Sequence, residues 1–277
     1  MFSVSHIRAQ ARQTINTVPG IYLLALIPVA ITAVTNIFSY VYGQGTTVYS
    51  ELATNPSATT GFVINSTLFP MFYGLLISFL YLSISWTLIQ VVRKTRETVA
   101  IKDALFVFTH PHFVKILVTY LLKNFLLFLW SIPMLVGLFC FIVGLMLAII
   151  SYYLPPEGLV QLISAFLLGG FILLVAGCAL YCPQYYAYSQ VEFLLYDRLE
   201  NNNYTSAFSL IRDSRQLMKG YKAKRWVLDL SFIGWFFLMG ITFGLVGLYV
   251  VPYHYCSQVY FYEALKEEQA LKVNYFF

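Results

Sequence analysis

Two apolar runs, residues 116–152 and 158–197, follow one another with only the turn-forming stretch LPPEG between them. Each exceeds the roughly 20 residues that a helix needs to cross about 30 Å of hydrocarbon. A soluble fold could bury such segments only beneath a polar exterior, and this chain has little to build one from. Its residues are 59% hydrophobic and 10% charged, where ordinary soluble domains carry about 25% charged residues. Lipid is therefore the outer solvent, and the expected fold is an all-α polytopic bundle.

Spans are expected at about 20–42, 69–92, 116–152, 158–197, 226–243 and 245–262, in a single integral-membrane domain. Pro133 and Pro183 lie inside the two longest runs, each of which reads as one kinked or tilted span with an interfacial extension. Splitting them would leave pieces of about sixteen residues, short for hydrocarbon. The apolar segment from Ile21 is longer than the core of a cleavable signal, so it is read as a retained first span. The loop at 43–68 is polar, with Glu51 its only charge, and contains Asn65-Ser66-Thr67, a glycosylation acceptor pattern that matters only in a host that glycosylates.

The final apolar run poses a choice. As one helix, Trp226 to Glu263 would be about 57 Å long, nearly twice the hydrocarbon thickness. A reversal near Thr242-Phe243-Gly244 gives two halves of about 27 Å, with Gly244 able to take the positive φ of a tight turn. The competing reading makes Gly240 and Gly244 a GxxxG packing face on one continuous rod. With the reversal, all 17 basic residues fall on inward segments, and both termini face the cytoplasm of a cell whose plasma membrane the chain spans. A five-span map would move only Lys266 and Lys272 outside.

Polar segments with helical periodicity precede the hairpins. Val4, Ile7, Ala11, Ile15 and Val18 form one stripe, and Ala207, Leu210, Ile211, Leu217, Met218 and Tyr221 form another opposite Arg212, Arg215 and Lys219. Both are expected to be interfacial amphipathic helices. Residues 98–109 are a poorer third example, because apolar positions surround the helix. Arg212, Arg215, Lys219 and Lys222 belong to a set of seven basic residues between 198 and 225, and are candidate contacts for anionic lipid headgroups.

Several elements of the C-terminal third carry a resemblance. They are Ser214, Leu217, Met218 and Gly220 in an S-x-x-L-M-x-G run, L-x-L-S-F-I-G-W from Leu228 to Trp235, Pro252-Tyr253, and Phe261-Tyr262-Glu263. With the leader HIRAQARQTI, these resemble the domain of unknown function 975 family, an integral-membrane family of bacteria. Residues 134–180 are longer and more apolar than that likeness leads one to expect. The resemblance implies a multi-span membrane protein and brings no activity, substrate or catalytic residue.

Glu192, Asp229 and Glu263 lie at the inner edge of expected spans, with Lys224, Arg225 and Arg198 in reach along the chain. An ionisable group within a span is a functional candidate. Two readings stand: structural ion pairs that pin hairpin register, or a shared site for a cation, a proton or a lipid headgroup. The 22 tyrosines are read mainly as interfacial residues. His110 and His112 flank Pro111 in a turn, without a further ligand at metal-binding spacing, and the four cysteines fall in apolar runs. No phosphate-cradling glycine loop, H-E-x-x-H or G-x-S-x-G element is present. No cofactor, metal or nucleic acid partner is expected.

The expected role is a non-enzymatic scaffold or accessory subunit that contacts membrane lipid, a partner protein or further copies of itself. The alternative is a transporter of ions or small molecules using the inner-edge carboxylates, with breaks at Pro133, Gly169-Gly170 and Pro183.

Overall fold

The computed structural model describes residues 2–42, 69–153 and 159–275, and every regular element among them is helical. The loop holding Glu51 and Asn65 and the LPPEG turn lie outside the described residues. In chain order the elements are α1 (Val4–Thr17), a 3-10 turn (Ile21–Ala25), α2 (Leu26–Tyr42), α3 (Phe69–Val92) and a second 3-10 turn (Ile101–Leu105). Then come α4 (Phe113–Tyr153), α5 (Leu159–Ala187), α6 (Val191–Glu200), α7 (Ala207–Leu217), α8 (Lys222–Leu230), α9 (Ile233–Ile241) and α10 (Gly247–Tyr275). The helices group into two compact units: residues 1–113 with 226–277, and residues 114–225.

The first unit is built around α10, whose Val250, Tyr253, Cys256, Val259 and Phe261 are fully buried. It packs against α1, α3 and the first 3-10 turn. Helix α1 begins where the Ser3 hydroxyl accepts the His6 N–H at 3.3 Å. Its Ile7, Ala11 and Ile15 are buried, so the stripe expected to rest in a headgroup layer is covered by protein. The polar edge of α1 is tied to α10 as well. Arg8 Nε donates to the Tyr253 hydroxyl at 3.2 Å, and the Thr14 and Tyr260 hydroxyls share a hydrogen bond of 2.7 Å.

Residues 98–109 form no amphipathic helix. They fold as the second 3-10 turn, held by Asp103, which accepts the Ala100 N–H at 2.9 Å and pairs with Arg96 at 3.0 Å. Ala104 and Val107 are buried, and the Val107 N–H donates to the Ser83 hydroxyl of α3. A segment apolar on all sides offers no single face on which a longer helix could settle.

The final run reverses. Phe243 and Gly244 take left-handed φ values of 52° and 93°, and the Gly244 N–H closes the end of α9 on the Met239 carbonyl at 2.8 Å. Ring contacts then step backwards along the chain: Trp235 with Tyr249 at 5.3 Å between centroids, and Phe232 with Tyr253 at 4.8 Å. A side chain at Gly240 would meet nothing within 4 Å, so the glycine spacing marks a turn and no packing face.

The second unit rests on an antiparallel hairpin. Helices α4 and α5 each run unbroken past Pro133, Pro183 and Gly169-Gly170. Gly137 faces Leu174, Gly144 faces Leu167, Gly170 faces Phe141 and Gly177 faces Met134, all in one register. The missing side chains let the two backbones touch, the usual device for helices that associate without a hydrophobic driving force. Outward faces remain apolar, with Phe125, Phe139, Ile149, Leu168 and Ile172 among the exposed residues.

Four stretches among the described residues are long and apolar enough to cross a membrane: Ile21–Ser39, Phe69–Val92, Phe113–Ser151 and Leu159–Glu200. They coincide with the first four expected spans. The reversing segment contributes none by that measure, because α9 has nine residues and the first half of α10 is diluted by tyrosines, Pro252, His254 and Gln258.

Candidate functional site

The three candidate carboxylates are each held by a cation or histidine that linear proximity does not suggest. Glu192 on α6 pairs with Lys123 on α4, with the Lys123 ammonium 5.2 Å from the Tyr120 ring centroid. Glu263 accepts both Nε and Nη2 of Arg93 at 2.9 and 2.7 Å. Asp229 lies 3.1 Å from His254 Nε2, and Gln258 contacts the same ring. His254 and Glu263 are nine residues apart on α10, about 14 Å along its axis, so Asp229 and Glu263 do not share a site. The sequence-neighbour cations have contacts of their own. Arg198 pairs with Asp213 at 3.0 Å, Lys224 sits over the Tyr221 ring, and the Arg225 side chain is buried at the start of α8. Of the candidates Glu192, Asp229, Glu263, Lys224 and Arg225, each of the three carboxylates is thus held by a partner within its own unit.

The basic candidates form a more coherent feature on α7. This helix starts at Ser206, whose hydroxyl accepts the Ser209 N–H at 3.2 Å. Its expected stripe is buried throughout, from Ala207 through Leu210 and Ile211 to Leu217, Met218 and Tyr221. Ser214 locks the helix in place: its hydroxyl donates to the Ala187 carbonyl at 2.7 Å and accepts the Gln190 N–H at 3.3 Å. With the apolar side committed to protein, Phe208, Arg212 and Arg215 recur on the opposite side at steps of four and three residues, and Lys219 follows in the turn just past the helix end.

A groove of about 570 Å³ runs beside that row. Its floor is apolar, made by Leu126 and Trp130 of α4 with Tyr188, Phe208 and Ile211. Arg212, Arg215, Lys219 and Gln216 form its rim. Among the described residues none of the three rim cations makes an ion pair, and no carboxylate lines the groove. Lys222, the fourth basic candidate, is half-buried and lies outside the lining. Sequence periodicity isolates the rim but gives no sign of the floor, since Leu126 and Trp130 are indistinguishable in sequence from their apolar neighbours. Lys123, Arg93 and His254 were likewise invisible as partners, each more than 20 residues from the acid it holds.

In the connection between α3 and α4, His110 packs edge-on against Trp86 at 5.6 Å and beside His112 at 5.8 Å. Burial and the neighbouring imidazole hold its pKa below the usual histidine value. Among the described residues no group of three or more His, Cys, Asp or Glu is placed to hold a metal ion. All four cysteines are free thiols.

A family model described as "Protein of unknown function (DUF975)" matches residues 1–269. No curated protein and no solved structure matches the chain.

Proposed function

We propose, from the premise that the chain belongs to the DUF975 family of proteins of unknown function, that it is a non-enzymatic membrane scaffold crossing the plasma membrane six times with both termini in the cytoplasm. The observation that carries this reading over transport is the separate pairing of Glu192 with Lys123, Asp229 with His254 and Glu263 with Arg93. A carboxylate already held by its own partner pins two elements in register and offers little to a travelling ion. The α9–α10 reversal favours six crossings, because it keeps all 17 basic residues on one side. In this role the protein presents its basic surface to lipid or to a partner chain.

Two measurements test the reading. A reporter fused after Phe277 is expected to be cytoplasmic, and an external reporter overturns the six-crossing map. Proteoliposomes of the intact chain are expected to pass no more protons or sodium ions than empty vesicles, while Glu192→Gln, Asp229→Asn and Glu263→Gln lower the yield of folded protein. Ion uptake that these amides abolish at unchanged yield would instead establish the transporter.

A further inference from the structure

We propose that the α4–α7 groove of the second unit binds the phosphate headgroup of one anionic phospholipid. Its acyl chains follow the exposed apolar flank of α4. This deepens the scaffold reading by naming its ligand, and it rests on the part of that reading that embeds the α4–α5 hairpin in the membrane.

Depth comes first. The glycine register places Trp130 of α4 opposite Tyr181 of α5, a pair of residue types favoured where hydrocarbon meets headgroups. From Trp130 to Ile150 is twenty residues, about 30 Å of helix, which matches the hydrocarbon layer. In the other direction, the Lys123–Glu192 pair lies seven residues below Trp130, about 10 Å further out. The polar layer on each face of a bilayer is about 5–8 Å deep. Leu126 and Trp130 therefore put the groove floor at the depth of glycerol and phosphate.

Charge comes second. Three cations line the rim with no carboxylate among the lining residues, and two of them are arginines, whose planar guanidinium can grip a phosphate through two parallel hydrogen bonds. Shape comes third. An inorganic anion would need no apolar floor and far less than the groove's volume, whereas a headgroup with the first part of its chains needs both. Leu129, Ile132 and Val136 continue upward from Leu126 as an exposed apolar stripe at helical spacing, a track for an acyl chain.

The test uses the full chain reconstituted in mixed phosphatidylcholine and phosphatidylglycerol bilayers. It is then extracted gently, and the retained lipids are quantified by mass spectrometry. Wild type is expected to keep phosphatidylglycerol in preference to phosphatidylcholine. Arg212→Gln, Arg215→Gln and Lys219→Gln should each reduce that preference about five-fold. All three side chains are exposed, so the variants should melt as wild type does. Lys222→Gln, which removes a nearby charge outside the groove, should keep the preference. As a second readout, phosphatidylglycerol brominated on its chains should quench Trp130 fluorescence, isolated by comparison with Trp130→Phe, more than brominated phosphatidylcholine does.

Equal losses from Lys222→Gln and the three rim variants would mean a diffuse basic surface and overturn the site. Equal quenching by the two brominated lipids would do the same. Neither result bears on the reporter after Phe277 or on ion flux, so failure here is distinguishable from failure of the scaffold reading.

Discussion

Adjacent glycines on α5 should respond oppositely to the same substitution. A methyl at Gly170 would lie 2.6 Å from the Phe141 backbone nitrogen and 3.0 Å from the Gly137 carbonyl, whereas one at Gly169 would meet nothing within 4 Å. Alanine favours a helix over glycine by about 1 kcal/mol at either position, so comparing the two variants cancels that gain and leaves the steric effect. Restoring ordinary contact at Gly170 requires the helices to part by about 0.8 Å. A gap of about 0.5–1 Å forfeits a quarter to a half of the attraction between facing atoms, and it would be felt along the shared register at Gly137, Gly144 and Gly177. Overpacking of this kind costs about 1–3 kcal/mol. Taking about 2 kcal/mol, Gly170→Ala should melt roughly 4–8 °C below Gly169→Ala. Thermal unfolding in one detergent, followed by tryptophan fluorescence, supplies the comparison. Equal melting temperatures would show that the backbones are not in contact and refute the zipped hairpin.

The remaining predictions concern charge. Lys123→Ala leaves Glu192 without the cation that holds it, and should destabilise the second unit by about 3 kcal/mol. Lys123→Met combined with Glu192→Met should recover most of that loss in the same melt. His110 titrates below its unfolded value, so the unfolded chain binds more protons as pH falls past about 6.5. Stability should therefore decline from about pH 7 downward and level off once the folded imidazole is also protonated. His110→Asn, melted across the same range, should show a shallower decline than wild type.

The sequence revealed spacing and solvent preference but concealed partners. The long apolar runs announced α4 and α5 because their length alone exceeds what a bilayer requires, and arithmetic on Trp226–Glu263 was enough to require the reversal found at Phe243-Gly244. Gly169-Gly170, read as a break, stands in an unbroken helix, because a neighbouring backbone occupies the space that Gly170 vacates. The residues behind the family resemblance also acquire structural work. Ser214 ties α7 to its unit, Gly220 takes a left-handed φ of 84°, Leu228 and Phe232 are fully buried, and Glu263 holds Arg93.

The stripes on α1 and α7 show where pattern reading runs out. A period near 3.6 says that one face avoids water, yet headgroup-level lipid and a protein surface satisfy that preference equally well. The deciding contacts are remote in sequence: Thr14 with Tyr260 for α1, and Ser214 with Ala187 and Gln190 for α7. Once protein covers the apolar side of α7, that side is unavailable for resting on the membrane. Any lipid contact must then pass through the outward row of Phe208, Arg212, Arg215 and Lys219, three of whose four residues are cations, so recognition here should depend on headgroup charge more than on apolar insertion.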